Sequence, residues 1–540
     1  MNLTRPLVVL VALLLFSSVF ARFTFQQTTF EPSQFTDIEK LQQTCTASAS
    51  ASFWCSQLET PLTLITAKGD DFLINERGEF LAIFAKMNKG QDFRGRYNVD
   101  RNENLVPVNS PIPAGAILLN GEYVEPQNPT STWEQVNAES YEGTFNFQIA
   151  DINVTKVIRV SNIRQTLEVS ISAERVNGEP VAVEETTEET TETTEANPQE
   201  ASSGEETVLQ YVLPGIARTA SPLVKLAQGT NDPVAIVGQA VDNPSYVSLQ
   251  TSRAGQGSYA LILRPGIDET DVQAQILQGE GLPLNTIAMQ ETLGAEVGAT
   301  LTMNLRQYNG ANELVRYTQE GYRELPGLFQ PNIIGQLSVG VLWFLELLHS
   351  FIGNWGLSII ALTLVFRILI WPLITTQTKS MYNMQALQPE IQALQKKYKD
   401  DQEKLTQETM KLYREKGVNP AGGCLPIFLQ MPLFIILYNV FRHYEFNEGF
   451  LWIPDLGQAD PYYILPVLYL GVILLQSYLS AKGNPQMLRQ QLLINVAFIF
   501  FFINFPSGVI LYYTFSMAVQ AFQYWLIQRS QPKPAKALAK

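Results

Sequence analysis

The stretch WGLSIIALTLVFRILIWPL, residues 355–373, decides the fold class. Its 19 residues hold no acidic side chain and one basic one, Arg367. Coiled as a helix they rise about 28 Å, close to the ~30 Å hydrocarbon core of a bilayer. Five more runs have the same character: 1–22 (apolar from Pro6 to Ala21), 425–441, 463–480, 492–505 and 508–528. Six membrane spans follow. A single soluble globule is excluded, although the 540-residue chain is only 46% hydrophobic and 16% charged overall.

Those averages hide two unlike parts. From Gly327 onward there are 16 Lys+Arg and 11 Asp+Glu, leaving 21 basic and 40 acidic residues before it. A formal net charge of −14, with no basic stripe outside the span-flanking loops, argues against a DNA or RNA binder. Basic residues in short loops set the orientation. Eight fall in 374–424, two in 481–491 and four in the tail 529–540, whereas the stretch from His443 to Pro461 has none. The basic loops and the C-terminus are therefore cytoplasmic, and residues from about 22 to 335 lie outside the cytoplasm. The first run, preceded by Arg5 and ending Val19-Phe20-Ala21, reads either as a retained anchor or as a cleavable signal peptide. Both leave the next domain external.

That external part begins with a Gln/Thr/Ser/Ala-rich tether, 23–54. Over 55–330 it carries short alternating runs: Leu62–Thr66, Phe72–Asn75, Phe80–Phe84, Phe145–Ala150, Val154–Val160, Leu167–Ser172, Val208–Leu213, Tyr259–Leu263 and Ala299–Leu305. Turn signals such as Asn120-Gly121 and Pro265-Gly266 punctuate them, which predicts an all-β sandwich. Glu184–Glu206 holds nine Glu and no basic residue, so it is expected to be a disordered acidic loop. Cys45 and Cys55 share a compartment where a disulfide persists, though their spacing does not demand one. Three Cys and two His give no metal-ligand cluster, and no Gly-x4-Gly-Lys-Ser/Thr loop for a nucleotide is present. No cofactor is expected.

Residues 331–353 form a predicted amphipathic helix. Leu337, Val341, Leu345, Leu348 and Ile352 fall on one face, and Ser338, Glu346, His349 and Ser350 on the other. The pattern suits a helix lying in the outer membrane interface. Between spans two and three, Ile391, Leu394 and Tyr398, then Leu405, Met410 and Leu412–Tyr413, predict two packed cytoplasmic helices, the first started or kinked by Pro389.

Arg367 is the only charged residue well inside any span. With no acidic partner in the spans, a mid-depth arginine costs at least ~2.5 kcal/mol unless water or protein groups reach it. It lies six residues before Leu373, so snorkelling to the headgroups is the plain alternative. Against it, polar residues recur along the other spans. Thr363 sits one turn before Arg367; Gln430, Gln476, Asn495 and Asn504 lie in spans three to five; Tyr513, Ser516, Gln520 and Gln523 share one face of the last. Together they predict a hydrated, positively charged groove. Span five covers only about 21 Å, so the bilayer should thin beside it.

Seven motifs stand out: HSFIGNWG at 349–356, Thr363-x3-Arg367 with Trp371-Pro372-Leu373, VNPAGGCLP at 418–426, Gln430-Met431-Pro432, Leu451-Trp452-Ile453, DPYYILP at 460–466, and Phe505-Pro506-Ser507-Gly508 before Tyr512-Tyr513. Together they resemble the YidC/Oxa/Alb family of membrane protein insertases. The likeness covers about 330–530. It implies five core helices around a positive groove in which Arg367 contacts substrate, with Thr363, Gln430 and Tyr513 beside it and Ser516 and Gln520 on the same face. It also implies a cytoplasmic hairpin, a bacterial inner-membrane location and a large periplasmic β-sandwich. Nascent membrane proteins, the Sec translocon and the ribosome would be the partners, and no bond chemistry would be catalysed. Asn495 stands where members often carry Pro. The rival reading is a channel or transporter with an external sensor or carbohydrate-binding domain.

Overall fold

The computed structural model describes residues 26–29, 62–66, 70–85, most of 106–176, 206–329 with short breaks, 333–376, 387–399, 401–417, 425–480, a few positions within 488–495, and 502–530. The acidic loop before Glu206, all three cysteines and most of span five lie outside them. The chain forms two compact units, one from Phe23 to Pro331 and one containing Asn332–Lys540.

The first unit is built of strands, in chain order β1 (Gln26–Thr29), β2 (Leu62–Thr66), β3 (Asp70–Asn75), β4 (Phe80–Ala85), β5 (Ala116–Leu119), β6 (Gln127–Asn137), β7 (Ser140–Ile149), β8 (Ile152–Ser161), β9 (Thr166–Arg175), β10 (Thr207–Leu213), β11 (Leu223–Gln228), β12 (Val241–Asp242), β13 (Pro244–Gln250), β14 (Tyr259–Pro265), β15 (Gln273–Leu277), β16 (Thr286–Leu293) and β17 (Thr300–Ala311). They make a four-stranded sheet β1-β2-β3-β4, a five-stranded sheet β12-β15-β16-β10-β5 and an eight-stranded sheet β11-β13-β14-β17-β9-β8-β7-β6. Every pairing is antiparallel. Period-2 patterning explains the layering. On β8, Ile152, Val154, Ile158 and Val160 point inward; on β9, Leu167, Val169, Ile171 and Ala173 do the same. These side chains join Phe72, Ile74, Leu209, Tyr211, Ile276 and Met289 in one core shared by the three sheets. All nine sequence-expected strands are present. The structure adds β5, β6, β11, β12, β13, β15 and β16: β5 and β12 are only four and two residues long, and Gln, Ser or Thr interrupt the apolar alternation in the others. Strand β1 falls within the expected tether 23–54 and pairs with β2 beyond its end. The Asn120-Gly121 signal is a tight turn with φ of 50° and 90°, a pair of left-handed residues that only such a dipeptide adopts cheaply.

One inward position of β8 breaks the pattern. Lys156 is fully buried, and its Nζ donates to the carbonyls of Gly78 (2.5 Å) and Gly115 (2.6 Å). Beside it Glu79, also buried, accepts from Asn75 Nδ2 at 2.7 Å and from the Tyr123 hydroxyl at 2.9 Å. Burial pushes Glu79 up and pulls Lys156 down to about 7, which neighbouring Glu79 opposes.

On β16, burial raises Glu291 to about 7, with Glu269 and Asp271 adding like charge. The folded state therefore holds this proton more tightly than the unfolded chain. Its stabilising share is present below the ordinary carboxylate value of 4.5 and is lost as pH rises through about 7. Glu291→Gln should raise the midpoint of thermal unfolding at pH 8 and leave it unchanged at pH 4. Because solvent screens this partly exposed group, the gain stays below about 1 kcal/mol. Melts at the two pH values check it.

The second unit is helical. Helix α1 (Leu314–Glu320) still belongs to the first unit, where Tyr317 and Tyr322 pack on Tyr308. Then come α2 (Ile333–Ile352), α3 (Trp355–Leu369, with 371–376 also helical), α4 (Gln388–Lys397), α5 (Gln402–Glu415), α6 (Leu425–His443), α7 (Ile464–Ser480) and α8 (Ser507–Ser530). Among the described residues, α2 alone is both long and apolar enough to cross a membrane; 355–369 and 464–479 are shorter apolar helices. A helix is present where one was expected over 331–353. Its buried side draws on both expected stripes, Ser338 from the polar one and Leu345 from the apolar one. Ser338, Val339, Leu342 and Leu345 pack inward, Asn439 Nδ2 donates to Ser338 Oγ at 3.3 Å, and Leu337, Trp343, Phe351 and Ile352 are exposed.

Helices α4 and α5 form the expected hairpin. Pro389 stands in the first turn of α4, Asp401 caps α5 by accepting from Lys404 N at 3.0 Å, and Lys416 reaches Glu390 at 3.2 Å. The segment 444–463 is equally ordered. Asn447 accepts from Trp355 Nε1 (2.5 Å), Asp460 accepts from Leu465 N (2.7 Å) at the start of α7, and Ser507 Oγ and Gly508 N, opening α8, donate to Gln458 O and Leu456 O, each at 2.7 Å. It thereby fixes one end of three helices. Phe450 lies so close to Gly356 that a Cβ there would meet its ring at 2.1 Å. Gly356→Val should cost about 1–3 kcal/mol in the detergent-solubilised protein. Adding Phe450→Ala should restore part of it, and thermal melts of both variants check this.

Candidate functional site

The site forms where α3 meets α8. Arg367 projects from α3 and is 3% exposed. Its Nε donates to Ser516 Oγ at 2.8 Å, its Nη2 also donates to Ser516, and Nη2 approaches Gln520 Oε1 at 3.4 Å. Ser516 and Gln520 lie one turn apart on α8, so a single face of that helix supplies both acceptors. No salt bridge among the described residues involves Arg367. A guanidinium has five N–H groups and a full charge, and here it meets only neutral oxygens. Snorkelling is not what the geometry shows, and neither is an open recess: the side chain is enclosed by protein.

One turn further on, Gln523 repeats the motif. Its Nε2 donates to Trp371 O (3.2 Å) and Thr375 Oγ1 (3.0 Å), extending a polar seam along α3 and 371–376. Sequence reasoning placed Gln523 on the same face but not in the site; the 3-4-3 spacing was the available signal.

Thr363 is fully buried, and its hydroxyl donates to Ile359 O of its own helix at 2.7 Å. It therefore presents an oxygen acceptor rather than a free donor. Tyr513 is buried beside Phe434 (5.8 Å), Phe502 (5.8 Å) and Tyr512 (5.3 Å), ring centre to ring centre. Its hydroxyl lies beside Gln430, and among the described residues neither it nor Gln430 Nε2 makes a well-formed hydrogen bond. Aromatic walls with unspent polar tips thus adjoin a charged seam. Asn495 donates to Ser477 Oγ at 2.8 Å, tying span five to α7, and Asn504 is exposed and takes no part in the seam. The arrangement can hold and orient an anionic or polar group; it contains no nucleophile–base pair.

Residues 347–534 match the family described as 60Kd inner membrane protein. The membrane protein insertase YidC of Deinococcus radiodurans is 38% identical over 330 residues, covering 59% of this chain and 74% of that one. The chain belongs to the YidC family. A Haemophilus ducreyi YidC is 46% identical over 199 residues, 35% of this chain and 37% of the other. A crystal structure of an active YidC insertase with its first transmembrane domain resolved superimposes with a TM-score of 0.51 at 18% identity, covering 96% and 99% of the two chains, and so shares the fold. The protein is accordingly a YidC membrane protein insertase of the inner membrane, not an enzyme. Its β-rich first unit and helical second unit are the YidC-like fold.

Proposed function

We propose that clients are received at the α3–α8 seam, where Arg367 is the anchoring group. The observation that carries this is a buried guanidinium held only by Ser516 and Gln520. A carboxylate is a stronger acceptor than a hydroxyl or an amide, because charge-assisted hydrogen bonds are roughly twice as strong as neutral ones. An acidic client tail would therefore displace Ser516 and bind transiently while its hydrophobic segment slides along spans two, three, five and six. Gln430, Thr363 and Tyr513 line the same passage. Partition into lipid, worth roughly 0.3–0.6 kcal/mol for each Leu, Ile, Phe or Val at the centre of a helix, then drives release without nucleotide.

In the same reading the six spans carry the topology derived from loop charge, and the α4–α5 hairpin and basic tail face the ribosome. The Sec translocon is a further partner in the family's manner. Purified protein in liposomes should integrate a small single-span client that empty liposomes leave protease-sensitive. Equal integration with and without the protein would refute the proposal.

A further inference from the structure

The outer face of the eight-stranded sheet carries a row of charges that ends unbalanced. Strand registers place Glu142 on β7 opposite Arg159 on β8, Arg159 opposite Glu168 on β9, Glu168 opposite Arg306 on β17, and Arg306 opposite Arg264 on β14. Arg159 takes both neighbouring acids, Glu142 at 2.7 Å and Glu168 at 3.3 Å. That leaves two arginines side by side. Among the described residues neither forms a salt bridge, and the Nε of each is buried without a hydrogen-bond partner.

Their setting is built rather than floppy. The Arg264 guanidinium lies 5.3 Å from the centre of the fully buried Tyr322 ring, and its Nη1 makes a long contact of 3.5 Å with Gly321 O. Both arginines are half-buried, so their stems are fixed while part of each side chain stays accessible. Like charges directly opposite on a sheet repel. This pair stands in a part of the chain where acids outnumber bases 40 to 21, so a pairing carboxylate would have been easy to place. Two adjacent guanidinium forks with unspent N–H groups match an ion with several oxygens on one centre.

We propose that Arg264 and Arg306 form a binding site for a phosphate-type oxyanion, supplied by solution or by a phospholipid headgroup. The test uses the full chain in an uncharged detergent, with inorganic phosphate and short-chain phosphatidylglycerol as separate probes in isothermal titration. Saturable binding of inorganic phosphate points to the free ion, and saturation by the lipid alone points to the headgroup. Arg264→Gln with Arg306→Gln should weaken whichever binding is seen at least tenfold. Arg159→Gln, whose charge is already engaged, should change it less than twofold. Without ligand the double variant should melt at or above the parent's temperature, since a repulsion has been removed, and the ligand should raise the melting temperature of the parent only. Failure of the parent to bind either probe saturably would overturn the site, as would equal binding by the double variant.

Discussion

Arg367→Glu should reduce insertion of clients with acidic external tails about tenfold or more, and change insertion of neutral-tailed clients less than twofold. A hydrogen bond to a charged group contributes about 1.5–3 kcal/mol, which corresponds to roughly a 10- to 100-fold change in capture. The substitution replaces that attraction with repulsion inside a poorly screened seam. Neutral clients are carried by hydrophobic partition, which the substitution does not touch. Arg367→Lys, which keeps the charge but loses the fork, should fall between parent and Arg367→Glu. Proteoliposome integration of matched clients, differing only in tail charge, reads the effect. Equal loss for both client types would mean that Arg367 holds α3 to α8 and does not meet the client.

The second large effect lies in the β-rich unit. Lys156→Ala should destabilise it by about 3–5 kcal/mol, because a cavity opens, two buried carbonyls lose their donor and the buried Glu79 loses a nearby positive charge. The fully buried ammonium donates to Gly78 O and Gly115 O and lies 5.1 Å from the Tyr211 ring. Its removal leaves both carbonyls and the Glu79 carboxylate facing a cavity. For a unit of this size each kcal/mol moves the melting temperature by about 2–4 °C, so a fall of roughly 10 °C is expected. Glu79→Gln together with Lys156→Met should recover the part of the loss due to the cavity and the stranded carboxylate, while the two carbonyls stay without their donor. Thermal melts of the three proteins decide it, and a fall under 2 °C for Lys156→Ala would count against a stabilising role for the buried ammonium.

Much of this molecule was legible in its sequence because each part sits in a different solvent. Uncharged runs of spanning length marked the helices, alternation marked strands such as β8 and β9, and a lone arginine among apolar residues marked the seam. What stayed hidden were facts of packing. The buried side of α2, which takes in Val339 and Leu342 beside Ser338 and Leu345, depends on the helices packed against it and not on the amphipathic pattern alone. The enclosure of Arg367 depends on Ser516 and Gln520 arriving from a helix about 150 positions away. Residues 444–463 showed only an absence of basic charge, whereas their work is done by Asn447, Asp460 and backbone carbonyls. The paired arginines depend on registers between strands far apart in the chain.

The most direct test of the seam is a photo-activatable benzophenone side chain placed at Gln520, with Leu475 on the exposed face of α7 as the comparison site. During insertion of an acidic-tailed client, crosslinks should form from position 520, vanish in the Arg367→Glu background, and be weak or absent from position 475. Client crosslinks from 475 with none from 520 would contradict the account.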